Sequence, residues 1–428
     1  MKKVILGSCL LVSTFFAQGQ ILKKITDRAK QRSLDKINQK VNTTTDNAVD
    51  TAFSKTEQTV KDVIKGNTGK SGDSTSNNDT ISANPSTIKA YSKYDFVPGE
   101  KIIGFEDFMT GSIGDFPSGW DTNGSAEIVT IDGKPGRWLM ISKPGVFVPE
   151  FTNKLPADFT FEFDLLHGTP FSGSNSVVLF LNLVQLQNTD KPQDWGVANN
   201  RYTLTFLPGN TGNVTGWSTS ERRKNGSGED AVTNETKQLG DQSNPVHISI
   251  WRQKERVKVY MNEEKVWDVP KALATDAELN SLVFFLKYAE PASVYYLGNL
   301  RMAVGAPDTR NKFLTESKWV THGILFDVSS ANIKPESYGS LKEMANVLKE
   351  NPDLKVNIIG HTDADGKDDA NLDLSKRRAA SVKAALVKEF SIDKSRMETD
   401  GKGESDPIDK NDNPAGKANN RRVEFIKI

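Results

Sequence analysis

Gly360-His361-Thr362-Asp363, followed by Asn371 and then by Leu374-Ser375-Lys376-Arg377-Arg378-Ala379, is the stretch whose residue types could do chemistry. Asp363 supplies a carboxylate, and Arg378, fifteen residues on, a guanidinium. Presented together near the free N–H groups of a helix start, they could grip a zwitterion. The carboxylate takes an ammonium, while the guanidinium and the amides take a carboxylate. For that, Val356, Ile358 and Ile359 must form a buried strand that delivers Thr362 and Asp363 to a sheet edge. An amphipathic helix must then return Arg378 over the strand end.

Other constellations fall short of a chemistry. Asp363, Asp365, Asp368, Asp369 and Asp373 suggest calcium, but an EF-hand loop with Gly366 at its sixth position needs an acid at His361 and a Glu at Leu372. Asp409, Asn411 and Asn413 precede Pro414, where such a loop needs glycine. Glu162 and Asp164 share one face of a strand. Retaining β-glucanases of jelly-roll fold carry Glu-x-Asp-x-x-Glu, but His167 stands where the last Glu would be, so the second carboxylate is missing. An outward-facing polar stripe is expected there instead. Four histidines and one cysteine leave no zinc-site spacing, and neither a nucleophile elbow nor a phosphate loop occurs. The chain therefore reads as non-enzymatic, with no metal and no cofactor.

The 428 residues suggest two or three domains, and 55 basic against 55 acidic side chains give no field that would attract nucleic acid. Residues 1–19 read as a signal peptide: Lys2-Lys3, an apolar run to Ala17, and small residues at Ala17-Gln18-Gly19. Cys9 lies inside it. Leu6-Gly7-Ser8-Cys9 superficially resembles an acylation signal, but the apolar region before the cysteine is very short. Residues 20–65 read as a basic helical segment with a weak stripe from Leu34 through Val41 to Ile64, a spacer that could self-associate. Residues 66–94 are a linker of Gly, Ser, Thr, Asn and Asp.

Residues 95–306 carry β signals throughout. Short runs such as 159–166, 177–186, 202–207, 246–252, 257–261, 282–288 and 294–300 often alternate apolar with polar, as in Phe161, Phe163 and Leu165 against Thr160, Glu162 and Asp164. This predicts an all-β, jelly-roll-like sandwich, loosely similar to concanavalin-like and laminin-G-like folds, that could contact carbohydrate. A membrane barrel is disfavoured because Arg252, Lys254, Glu255 and Arg256 interrupt one strand pair.

Residues 307–319 read as a second linker, and 320–428 as a two-layer α/β domain. Its expected elements are a strand at 323–327, a helix opened by Pro335, a strand at 354–359, a helix at 371–390 and strands at 395–401 and 421–428. Leu374, Ala379, Val382, Leu386 and Phe390 form the inward stripe of the second helix.

The block from Ile324 to Ile428 resembles the C-terminal domain of outer-membrane protein A (OmpA), a domain shared with peptidoglycan-associated lipoproteins and flagellar stator proteins. The matching residues are Phe326-Asp327 with Ala331-Asn332-Ile333, then Gly360-His361-Thr362-Asp363, Asn371, Leu374-Ser375 and Arg377-Arg378-Ala379. Gly401-Lys402-Gly403-Glu404 and Asn419-Asn420-Arg421-Arg422-Val423-Glu424 complete them. The resemblance implies a βαβαββ fold that binds the diaminopimelate residue of peptidoglycan stem peptides non-covalently. By the same likeness Asp363 would take the ligand ammonium and Arg378 its carboxylate, with Thr362 and Asn371 lining the pocket. Ser329 would face the ligand from the loop after the first strand. Of Arg377, Arg421 and Arg422 one could assist, and Arg422 is the one assigned. The implied setting is the outer membrane and periplasm, with peptidoglycan and the outer membrane or its proteins as partners. The alternative is a glycan-binding or glycan-active β-domain anchored to the wall.

Overall fold

The computed structural model describes residues 94–428 except 153, 169–176, 199, 210–214, 225–226, 241–243, 290–292 and 306–308. The expected signal peptide, the expected helical segment and all of the expected first linker but Tyr94 lie outside the described residues. Those described fall within one compact unit.

Fifteen strands are defined between residues 101 and 304. The first eight are β1 (Lys101–Glu106), β2 (Trp120–Thr122), β3 (Ser125–Ile131), β4 (Lys134–Lys143), β5 (Gly145–Pro149), β6 (Asp158–His167), β7 (Leu179–Val184) and β8 (Arg201–Leu207). The others are β9 (Gly216–Lys224), β10 (Ser227–Thr236), β11 (Val246–Gln253), β12 (Arg256–Met261), β13 (Glu264–Val269), β14 (Ser281–Leu286) and β15 (Tyr295–Val304). They build two antiparallel sheets, β13-β12-β11-β6-β15-β4-β3 with β1 added on β15, and β10-β9-β8-β7-β14-β5-β2. The period-two alternation explains the packing. Phe159, Phe161, Phe163 and Leu165 of β6 enter one apolar core with residues of the other sheet. Phe163 meets Phe284 and Phe206 edge to face, with ring centroids 5.4 and 6.1 Å apart.

The polar alternates of β6 correct the expectation of a solvent-facing stripe. They do point away from the sandwich core, yet Thr160, Glu162 and Asp164 are all buried. A second domain and the segment leading into β1 lie over them. Tyr94 and Phe96 pack on Tyr260 of β12 and Trp251 of β11. The Gly99 amide donates to Thr160 Oγ1 at 2.9 Å. Arg301 of β15 donates to the His322 carbonyl of the C-terminal domain at 2.7 Å. Tyr94 therefore belongs to the folded unit and not to a linker.

Of the stretch 307–319, the described residues 309–319 are likewise structured. They carry α1 (Thr309–Glu316) and enter β16 (Lys318–Thr321), which is the first strand of the C-terminal sheet. The expected strand at 323–327 is an extended segment with a lone bridge, Phe326 to Ile333. The strand lies earlier because Trp319 stacks on Phe425, centroids 5.2 Å apart, which registers 318–321 against the last strand. After β16 come α2 (Tyr338–Glu350), β17 (Val356–His361), α3 (Asp368–Phe390), β18 (Met397–Gly403), the short α4 (Pro414–Asn420) and β19 (Val423–Lys427). The sheet order is β16-β19-β17-β18, with β17 and β18 parallel and the other neighbours antiparallel. Leu341, Met344 and Leu348 of α2 join Ala379, Val382 and Leu386 of α3 in one core with Ile358 and Phe425.

Candidate ligand-binding site

The site begins where β17 ends. Thr362 donates its amide to the Gly403 carbonyl at 2.9 Å, holding the chain beside β18 as it leaves the sheet. α3 then packs against both strands, and two glycines make that approach feasible. A Cβ on Gly360 would lie 2.3 Å from the Ser375 carbonyl oxygen, and one on Gly401 would lie 2.3 Å from Ser375 Oγ. Ser375 is fully buried, donates to the Leu372 carbonyl at 2.8 Å and accepts from the Gly403 amide at 2.9 Å. Asn371, Ser375 and Arg378 follow at steps of four and three, so one helix face carries all three towards the strand end.

Asn371 staples the loop: its Nδ2 donates to the carbonyls of Asp363 and Asp365 and to Glu404 Oε2, at 3.3, 3.1 and 2.5 Å. Asp363 is buried, and its Oδ2 lies 2.5 Å from Arg421 Nη1. Arg378 donates from Nε to the Ser330 carbonyl at 2.9 Å, with its guanidinium 4.9 Å above the Phe326 ring. Burial, and then Arg421, pull the Arg378 guanidinium down to about 10, against an opposing pull from Asp363. Arg421 thus pairs with Asp363 directly, while Arg378 feels that carboxylate only through its charge, which leaves positive charge for an anionic group to neutralise. Asp363 remains the group able to meet a cation. Thr362 Oγ1 is buried next to it in the chain with no hydrogen-bond partner among the described residues. The arrangement suits a ligand that carries an ammonium and a carboxylate on one centre.

Two of the expected residues stand elsewhere. Ser329 is exposed, at φ 53°, on a loop whose contact with Arg378 is made by the Ser330 carbonyl. Arg422 is a correction: its side chain is wholly buried, with Nε and Nη2 each 2.8 Å from Glu424 Oε1 and Nη2 3.0 Å from the Asp406 carbonyl. Burial alone would raise the Glu424 carboxyl, but His361, Lys318 and Arg422 hold it at about 2. The residue that joins the site is Arg421. Strand parity carries the signal, since Val423 and Phe425 face the α3 core and position 421 shares their side. Arg377 is spent on the exposed side of the helix, 2.7 Å from Asp373. Asp365 pairs with Lys417 at 2.7 Å.

The sandwich's carboxylates form a closed cluster. Arg301 Nη2 lies 2.7 and 2.8 Å from the two Glu162 oxygens. His247 reaches Asp164 at 2.6 Å and Glu162 at 3.3 Å, and Asn299 donates to Asp164 at 2.6 Å. Burial opposes a charge on His247, yet the two carboxylates outweigh it and raise the imidazole to about 10. His167 bonds the Gly168 and Gly240 carbonyls at 3.0 and 3.1 Å. With both acids neutralised and covered, this cluster holds domains together.

Residues 325–421 match the model of the OmpA family, and the C-terminal domain belongs to that family. "Probable lipoprotein YiaD" of Escherichia coli is 47% identical over 104 residues, 24% of this chain and 47% of that protein. "Peptidoglycan-binding protein ArfA" of Mycobacterium bovis is 39% identical over 108 residues, 25% of this chain and 33% of the relative. The chain thus spans about half or less of the length of these relatives. Among solved structures, the peptidoglycan-associated lipoprotein from Burkholderia pseudomallei is 26% identical, covering 28% of this chain and 98% of its own, at a TM-score of 0.25.

Proposed function

We propose that the C-terminal domain binds peptidoglycan non-covalently by the diaminopimelate residue of the stem peptide, and that the chain thereby ties the outer membrane, or a complex in it, to the wall. The observation that carries this reading is buried Asp363, paired with Arg421 at the end of β17, with Arg378 carried towards the same strand end by a glycine-seated helix. Asp363 receives the ligand ammonium, Arg378 its carboxylate, and Thr362 and Asn371 shape the floor. The family membership of the domain supports the wall as partner and the cell envelope as location. Co-sedimentation with purified sacculi tests it. Wild type should pellet, and Asp363→Ala and Arg378→Ala should stay in solution. Equal pelleting of all three would overturn the assignment.

A second reading concerns the sandwich, which we take as jelly-roll-like on its two antiparallel sheets. The outer face of the β10–β2 sheet has a shallow groove of about 440 Å³ lined by Phe180, Leu207, Trp217, Thr205, Thr219 and Thr233, with Trp217 45% exposed. An exposed ring among hydroxyls is the chemistry of glycan stacking. A glycan array with wild type and Trp217→Ala tests it, and no glycan retained by wild type would remove this reading.

A further inference from the structure

Arg421 is positioned by more than the C-terminal domain. Its guanidinium, 2.5 Å from Asp363 on one side, lies 4.9 Å above the ring of Phe105 on the other. Phe105 belongs to β1 of the sandwich, outside the residues that match the OmpA family. Asn419, two residues before Arg421, clasps the backbone of the same strand. Its Oδ1 accepts from the Ile102 amide and its Nδ2 donates to the Ile102 carbonyl, both at 2.9 Å. Ile102, Ala303 and Ala418 close over this clasp as a small apolar cluster, with Phe105 at its edge. Further back, His322 holds the Asn419 carbonyl at 2.8 Å, and the His322 carbonyl is itself held by Arg301 of the sandwich.

From this we infer that the ligand site is composite: Phe105, from the sandwich, is a positioning residue that holds Arg421 against Asp363 and so shapes the pocket for a diaminopimelate-type zwitterion. The inference rests on the wall-binding reading above. Its physics is specific. A guanidinium over an aromatic face is drawn by the ring's quadrupole, which a branched aliphatic chain of similar bulk lacks. The stacked Arg421 is kept from swinging into Arg378, and Asp363 is kept half-neutralised, so that it accepts a ligand ammonium in one orientation. Phe105 is half-buried, its ring set between Arg421 and the Ile102 cluster.

The test is calorimetric titration of the full chain with a diaminopimelate-containing stem tripeptide, alongside thermal melting of each variant. Phe105→Leu keeps apolar bulk at the cluster edge and should weaken binding by roughly three- to tenfold. Phe105→Tyr and Phe105→Trp should bind like wild type, a rescue that follows the ring and not the volume. If Phe105→Leu binds the tripeptide as tightly as wild type while Asp363→Ala does not bind, the composite site is wrong and the wall-binding reading stands. If Phe105→Tyr is as weak as Phe105→Leu, the ring face is not what matters and the inference fails. If Asp363→Ala binds as wild type does, both readings fall together.

Discussion

Asp363 and Arg421 face each other across the end of the C-terminal sheet, Oδ2 to Nη1 2.5 Å apart, while the next residue, Arg422, is turned into the fold on Glu424. Two adjacent arginines therefore do different work, and their substitutions should separate cleanly.

Arg421→Ala should leave the protein folded and weaken the stem tripeptide, because its guanidinium is partly exposed and Asp363 and the Phe105 ring, which it meets, both lie at the site. Arg422→Ala should instead destabilise the fold by about 1–3 kcal/mol, since it removes the hydrogen-bond donors of buried Glu424 Oε1 and of the Asp406 carbonyl while Lys318 still pairs Glu424 Oε2. Urea unfolding and tripeptide titration of both variants check this. Equal losses of stability would contradict the division.

Gly360→Ala should cost about 1–3 kcal/mol, the usual penalty of forcing extra volume into a close contact. Because the added Cβ would push against the Ser375 carbonyl, α3 must shift and carry Arg378 with it. Binding should therefore fall further than stability alone explains, which titration well below the melting temperature would reveal.

His247 gives a pH signature. Its folded value of about 10 lies above the ordinary value of 6.5, so the fold holds the proton more tightly than the unfolded chain. The stability it contributes is fully present below about 6.5 and is lost as pH rises through about 10. The gap in melting temperature between wild type and His247→Gln should be widest at about pH 6, narrow through neutrality and close towards about pH 10. A gap that does not change with pH would contradict a charged imidazole between Glu162 and Asp164.

Asn419→Ala should loosen the join between sandwich and C-terminal domain, leaving the Ile102 amide and carbonyl without their partners. Buried backbone groups left unpaired cost about 1–3 kcal/mol. Faster hydrogen exchange at Ile102, with little change at the Phe163 amide in the sandwich core, is the expected result.

Much of this architecture was legible in the chain. Alternation at Phe161, Phe163 and Leu165 places the core face of β6, and Gly360 to Asp363 with Arg378 marks the strand end and returning helix. What was not legible is what covers a face. The same alternation that points Glu162 and Asp164 outward cannot say that a second domain will close over them. Arg301 and His247 come from distant strands, so no local spacing announces the ion cluster. In α3 the apolar stripe names Leu374, which is half-buried, while the fully buried neighbour is the polar Ser375, chosen by close contact with Gly360 and Gly401. The Arg421-Arg422 doublet by itself gives no orientation until the parity of Val423 and Phe425 is applied.

The Asn419 clasp on Ile102 imitates one rung of a β-ladder, made by a side chain between two domains. A rung of this kind resists sliding far better than it resists peeling, because both of its hydrogen bonds must stretch at once. If the C-terminal domain grips the wall, a load on it meets this rung together with the Arg301 bond to the His322 carbonyl. The junction would then work as a stiff bracket, and whatever the sandwich presents would be held at a set angle to the wall.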